Sequence, residues 1–278
     1  MYSLPTEPGS IGQTLDAGFK LYVVSFKRAL GLSILAMISV AVPMILVTIV
    51  LVDFVVAEAD PGVAMIGLMT VGTIGAMCLY MGFYLAVMCR IGGIAYGQEL
   101  SFGASASMGM RRLFPVLVAS LLYLIAIILG YILLIIPGMF LGLSLAFYAL
   151  CIVLEGDGII ESLKHSHRLV WGHWWRTAII ASVVFVIYYV FSLAIQIPFI
   201  VLEQVLVTPE PPADAATEIV QSFAPLASGI LSILGSFISA VVTFPLMAAV
   251  FVVVFHDLKL RREGQDLEAR VETLTVSA

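Results

Sequence analysis

The stretch 153-VLEGDGIIESLKHSHRLVWGHWWR-176 holds three of the four histidines, all three tryptophans and three acidic residues. The chain around it is dominated by hydrocarbon. Its reading decides the fold: it is either a catalytic or metal-binding loop, or a mooring helix resting on one face of a bilayer. Composition favours the second. The chain is 62% hydrophobic and 11% charged, against roughly 45–50% and 25% for a soluble domain, and its mean hydropathy is +1.12. A soluble fold of this size has nowhere to hide that apolar surface, so the expected class is an all-α integral membrane protein.

Crossing the hydrocarbon takes about 20 apolar residues at helical rise. Working outward from the quoted stretch, six segments qualify or nearly do, at about 32–52, 64–88, 114–135, 139–153, 177–197 and 226–255. Pro115 is expected in the first turn of the third, where its missing N–H costs nothing. The dipeptide Pro137–Gly138 is expected to turn the third span into the fourth as a tight hairpin. Residues 1–257 thus form one six-span domain, and residues 258–278 a cytoplasmic tail. The three cysteines, Cys78, Cys89 and Cys151, lie in or at the ends of apolar runs without ligand-like spacing and read as small buried hydrophobes. The N-terminus has no basic region followed by a short apolar core and cleavage site, so the first span itself is the expected anchor.

Charge sets orientation. Lys20, Lys27 and Arg28 precede span one; Arg90, Arg111 and Arg112 separate spans two and three. Lys164, Arg168 and Arg176 separate four and five, and Lys259, Arg261, Arg262 and Arg270 follow six. Every basic residue falls on one side. The opposite connections carry Asp53, Glu58, Asp60, Glu203, Glu210, Asp214 and Glu218, with no Lys or Arg. The positive-inside rule then places both termini in the cytoplasm, which requires an even number of spans.

Within the quoted stretch, Asp157 and Gly158 suit a helix start, with Glu161 favouring the dipole of the first turn. Ile160, Leu163, His167, Val170, Trp171 and Trp174 recur at steps of three and four, while Glu161, Lys164, His165 and Arg168 occupy another face. A helix of this kind beside a span lies in the headgroup plane. The competing reading makes Asp157, Glu161 and His165 a metal or acid–base site. Successive steps of four drift round a helix rather than closing on one point, and His165 and His167 do not share a face. The interfacial helix, at about 158–175, is the expectation; no catalytic, metal or cofactor site is expected.

The same design recurs in 10-SIGQTLDAGFKLYVVSFKRAL-30, where Ser10 and Gln13 fit a capping box. Shifted by 148 residues, Ile11, Leu15, Phe19, Tyr22, Phe26 and Arg28 fall on Ile159, Leu163, His167, Val170, Trp174 and Arg176. A shorter version precedes span three. Interfacial helices are therefore expected at about 10–28, 100–112 and 158–175, in three units of helix plus membrane hairpin.

The segment 135-IIPGMFLGLSLAFYALCIVLEGDGIIESLKHSHRLVWGHWWR-176 resembles the hairpin and following helix of a bacterial inner-membrane family. That family is related to the membrane domain attached to some glycerophosphoryl diester phosphodiesterases. The tail 255-FHDLKLRREGQDLE-268 resembles the same family's ending, a DLR-type run followed by EG and DLE, although His256 stands where an aromatic such as tyrosine is the pattern. The catalytic phosphodiesterase domain is expected to be absent. The resemblance implies an orphan six-helix membrane domain in the bacterial inner membrane, not hydrolysis.

The central thirds of the six expected spans contain no Asp, Glu, Lys, Arg or His, which argues against ion-coupled transport. Met65, Met69, Met77 and Met81 have the spacing of a copper-conducting helix, but neither mouth carries a Met, Cys or His cluster, so they read as core filler. Ser228, Ser232, Ser236, Ser239 and Thr243 run along one face of span six; they offer a polar groove or, by small-residue spacing, close helix packing. Lys20, Lys27, Arg28, Lys164, Arg168, Trp171, Trp174 and Arg176 are the candidate headgroup contacts. The expected function is a non-catalytic role in lipid or envelope homeostasis, through anionic inner-leaflet lipids or a docked protein partner, with no nucleic acid involved. The alternative is an uncoupled transporter or channel for a lipid or small solute.

Overall fold

The computed structural model describes the backbone of residues 2–56, 62–207 and 215–276, and the burial of residues 2–50, 54, 62–205, 228–262 and 264. Asp53, Glu58, Asp60, Glu210, Asp214, Glu218 and Arg270 lie outside the described side chains. Among the described residues the chain is helical, in the order α1 (Ile11–Val56), α2 (Val63–Ala95), α3 (Phe102–Leu133), α4 (Ile135–Ser144), the single turn α5 (Tyr148–Leu150), a π-helical turn (Cys151–Glu155), α6 (Ile159–Val170), α7 (Trp174–Val207) and α8 (Ala215–Val276). Six stretches are long and apolar enough to cross a membrane: Ile11–Val50, Val63–Ala95, Phe102–Leu133, Ile135–Glu155, Trp174–Val205 and Ser228–Arg262. The protein is an all-helical, multi-pass membrane protein.

The helices run further than the span boundaries read from sequence. The amphipathic stretch at 10–28 is the start of α1 and not a separate helix, because nothing between Ile11 and Val56 breaks the helix. The capping box does form: Ser10 N–H donates to Gln13 Oε1 at 2.7 Å, and Gln13 N–H donates to Ser10 Oγ at 3.3 Å. The stretch at 100–112 likewise opens α3, with Ser101 Oγ accepting from Ala104 N–H at 3.2 Å. Pro115 consequently sits inside α3 rather than in its first turn. Only the third amphipathic stretch is a helix of its own. After α6, Gly172 takes a left-handed backbone (φ +88°), which a side chain resists, and the chain restarts as α7. Position 24, the counterpart of Gly172 in the 148-residue shift, is a valine, so α1 runs through.

The hairpin between spans three and four breaks at Leu134, whose backbone is extended, and Pro137 sits in the first turn of α4. The Pro–Gly pair therefore follows the turn instead of making it. Gly138 serves a different purpose: a Cβ there would lie 2.6 Å from the Tyr131 ring, and one on Gly130 would lie 2.9 Å from Gly138 Cα. α7 continues through Pro198 to Val207, which joins residues 199–207 to span five. α8 continues past Phe255, so the tail begins as an extension of span six.

Packing is uneven along the helices. The buried cluster takes in Leu85–Cys89 and Ile91 of α2, Phe147 and Leu150–Val153, Leu169 and Val170 of α6, and Ala248–Phe255 of α8. All of these lie toward the end where α2 stops and α3 and α7 start. α2 and α3 cross there in near contact; a Cβ on Gly109 would lie 2.5 Å from both Ala86 N and Gly82 O. Toward the opposite end large apolar side chains face outward, from Ile49 and Leu68 to Ile132, Ile136 and Val205. Such surface is tolerable only in lipid.

Candidate functional site

The sequence places the cations near the same ends of the helices, and the fold brings those ends together as a network of ion pairs. Its hub is Asp257 of α8, 6% exposed. Arg176, at the start of α7, donates to Asp257 Oδ2 through Nε (3.3 Å) and Nη2 (3.1 Å). Arg261, one turn further along α8, donates to the same oxygen through Nε at 3.0 Å. Both guanidinium groups also reach Gly9 O, at 2.8 and 2.6 Å, and Gly9 N–H donates to Asp257 Oδ1 at 3.0 Å. Arg176 further contacts Thr14 Oγ1 at 3.1 Å. One carboxylate thus ties the entry to α1, the start of α7 and the turn of α8 that carries Asp257 and Arg261.

The N-terminal strap is held at two further points. Tyr2 Oη donates to Ala17 O at 3.0 Å, and the His256 ring lies 3.0 Å from Pro5 O through Nε2. Burial, with Asp16 adding to it, pushes the Tyr2 phenol up to about 12, so it stays a donor. A groove of about 730 Å³ runs between this strap and α8. His173, just before α7, has its pKa lowered by burial first, then by Arg261 and Arg176.

A second cluster forms beside the hub. Glu155 closes the π-helical turn; Gly156 has φ +80°, and Asp157 follows. His165 Nδ1 of α6 is 2.6 Å from Asp157 Oδ2 and 3.5 Å from Glu155 Oε2. Lys259 Nζ donates to Glu155 Oε1 at 2.7 Å. Cys151 Sγ, Asp157 and His165 present atoms that all lie within 4.8 Å of one another. Glu161 does not join them; it faces Arg168 at 3.6 Å. Asp157 and His165 do meet, then, but through a loop folding back on the helix rather than along one helix face. An open groove of about 680 Å³, lined by Gly92, Gly93, Arg112, Leu154, Glu155 and Lys259 among others, borders the cluster.

The cations singled out by sequence divide into two groups. Lys27 and Lys164 are exposed. So are Lys20, paired with Asp16 at 2.6 Å, Arg28, paired with Glu99, and Arg168. Arg176 belongs to the Asp257 hub instead. Trp171 is exposed. Trp174 is half-buried, stacks on Phe140 and donates to Phe140 O at 3.3 Å. Asp257 is not apparent as a hub from sequence, because it is one of several acids near the cations of the tail and nothing in the pattern marks it as buried. Inside the bundle, two Arg90 nitrogens, Nε and Nη1, are buried without hydrogen-bond partners.

The serine stripe of span six splits. Ser239 Oγ shares a hydrogen bond with Ser192 Oγ of α7 at 2.8 Å, and Gln196 donates to Ser192 Oγ at 3.1 Å. Thr243 Oγ1 bonds back to Ser239 O at 2.8 Å. Ser232 and Ser236 are exposed, and Ser228 is partly buried.

Residues 76–258 match the family model described as a domain of unknown function, DUF7847. That is more than half of the chain. The protein belongs to this family. Its matched segment contains most of the buried cluster, the π-helical turn, α6, Arg176 and Asp257. No curated protein and no solved structure matches the chain.

Proposed function

We propose that this DUF7847 protein is a non-catalytic inner-membrane protein that grips anionic inner-leaflet headgroups with its charged end, in a role in lipid or envelope homeostasis. Both termini lie in the cytoplasm on this reading, as the one-sided cations require. The resemblance to the membrane domain of glycerophosphoryl diester phosphodiesterases belongs to the same reading.

The observation that carries it is the two-faced character of α6. One face packs inward through Ser162, Ser166, Leu169 and Val170. The other leaves Ile160 61% exposed, and the chain just beyond leaves Trp171 57% and Trp175 77% exposed. Lys164 and Arg168, four and eight residues after Ile160, lie in the open along the same outward face. An exposed apolar edge beside an exposed cationic edge is what a helix lying at the headgroup level needs. Each such cation contributes about 1 kcal/mol near an anionic surface. Uncoupled passage of a lipid or solute has less support, because Ser239 and Thr243 are spent on helix contacts.

Charge reversal tests the reading. In Lys164→Glu/Arg168→Glu, co-purified anionic lipid should drop several-fold relative to zwitterionic lipid, with the thermal midpoint little changed. Unchanged lipid in a folded variant rules out the headgroup grip and leaves the exposed face to a protein partner.

A further inference from the structure

Cys151, Glu155, Asp157 and His165 come from three consecutive pieces of chain, and each offers a different ligand atom. The π-helical turn is what gathers them. The Cys151 carbonyl accepts from Gly156 N–H and, at 3.3 Å, from Asp157 N–H, so the chain curls back over its own cysteine. π-turns of this kind concentrate at functional sites. The left-handed Gly156 then aims Asp157 at the start of α6, and two turns later His165 comes round to meet it.

We propose that this group is a binding site for Zn²⁺, with Cys151 Sγ, Asp157 carboxylate and His165 Nδ1 as ligands and Glu155 Oε2 available as a fourth. The inference is independent of the headgroup reading. A thiolate, an imidazole and a carboxylate together form the mixed donor set that borderline Zn²⁺ takes. Charge is also in balance. Ligation releases the thiol proton to solvent, so thiolate and Asp157 carboxylate offset the two positive charges, while Glu155 is offset by Lys259 at 2.7 Å. The side chains of Asp157 and His165 are each 19% exposed, which leaves a path for the ion beside the buried thiol. His165 and Asp157 now sit 2.6 Å apart. Tetrahedral ligands on bonds of about 2.0–2.1 Å stand about 3.3 Å apart, so Asp157 must move by about 0.7 Å. It is flanked by Gly156 and Gly158; a Cβ on Gly158 would meet nothing within 4 Å, so the movement has room on that side, whereas a Cβ on Gly156 would lie 3.2 Å from Arg112 Nη2.

Cys151 and Glu155 are four apart, but Asp157 and His165 are eight apart and do not close on one point along a single helix, and a cysteine inside an apolar span reads as packing. The whole ligand set is visible only once the π-turn is in place.

The test uses full-length protein in detergent, stripped with a chelator and titrated with Zn²⁺ or Co²⁺ alone. The native chain should take up one Zn²⁺, and the Co²⁺ form should show a thiolate-to-cobalt charge-transfer band. His165→Ala and Asp157→Asn should each weaken Zn²⁺ at least tenfold. Cys151→Ala should remove the charge-transfer band, whereas Cys89→Ala should keep it. Affinity should fall with pH as the ligands protonate. If the variants do not fold, the Co²⁺ spectrum of the native chain decides alone. No stoichiometric uptake, a Co²⁺ spectrum without the thiolate band, or Zn²⁺ retained by His165→Ala overturns the proposal.

Discussion

The two ends of the bundle are built on different terms. At the charged end, α1, α2, α7 and α8 converge on a dense core, and named partners hold it: Asp257 with Arg176 and Arg261, Glu155 with Lys259, Ser166 Oγ bridging Phe147 N–H and Ser144 O. At the opposite end the same helices show, among the described residues, outward-facing Ile, Leu and Val. One end is specified by complementarity and the other mainly by oiliness. Substitutions should therefore be felt in proportion to their nearness to Asp257, and most changes at the far end should be absorbed by lipid.

The largest effect should come from the hub. Asp257→Asn leaves two mostly buried guanidinium groups without their counter-charge, and breaking such an arrangement costs about 3–5 kcal/mol. The thermal midpoint in detergent should fall sharply; a native-like midpoint would show that solvent already screens the hub. Arg90→Met makes the opposite case, since Arg90 is a charge the fold leaves partly unsatisfied. It should be neutral or stabilising.

Glycines sharpen the contrast between the ends. Gly109→Ala pushes a Cβ against the α2 backbone and should cost about 1–3 kcal/mol. Gly72→Ala, at the other end, meets nothing within 4 Å and should stabilise by up to about 1 kcal/mol through helix propensity. Similar losses at both positions would erase the distinction. Between α7 and α8, Ser192→Ala removes a link to Ser239 and should cost about 0.6 kcal/mol, the usual worth of such a bond within a membrane.

The mildest effect is one of pH. Because the His173 pKa is held below its ordinary 6.5 in the folded chain, the unfolded chain binds more protons there. The neutral form's contribution is present above about pH 6.5 and is lost as pH falls below it. His173→Gln should flatten the decline in thermal midpoint on acidification, and a parallel decline in both proteins would assign it to other groups.

Most of the architecture was legible in the sequence. Six apolar stretches separated by one-sided cations leave little freedom, and the Ser10–Gln13 box is a local pattern that needs no tertiary context. Continuity was less legible. Amphipathic stretches 10–28 and 100–112 look like 158–175 in pattern, yet only the last is broken off, by a glycine in a left-handed turn. Asp157 and His165 stand out in the sequence as a pair, but the ionic hub and the place of Cys151 beside that pair were illegible for a physical reason. Both depend on chain ends far apart in sequence, or on a π-turn that shifts helical register by one residue. Periodicity arguments assume that register holds.

The central claim is that the packed, cationic end faces the cytoplasm. The most direct measurement is to introduce Lys164→Cys, on the exposed side of α6, and label it with a membrane-impermeant thiol reagent. Right-side-out and inverted vesicles are compared, with the native chain as background. The account predicts labelling in inverted vesicles alone; labelling from the outer face of right-side-out vesicles would contradict it.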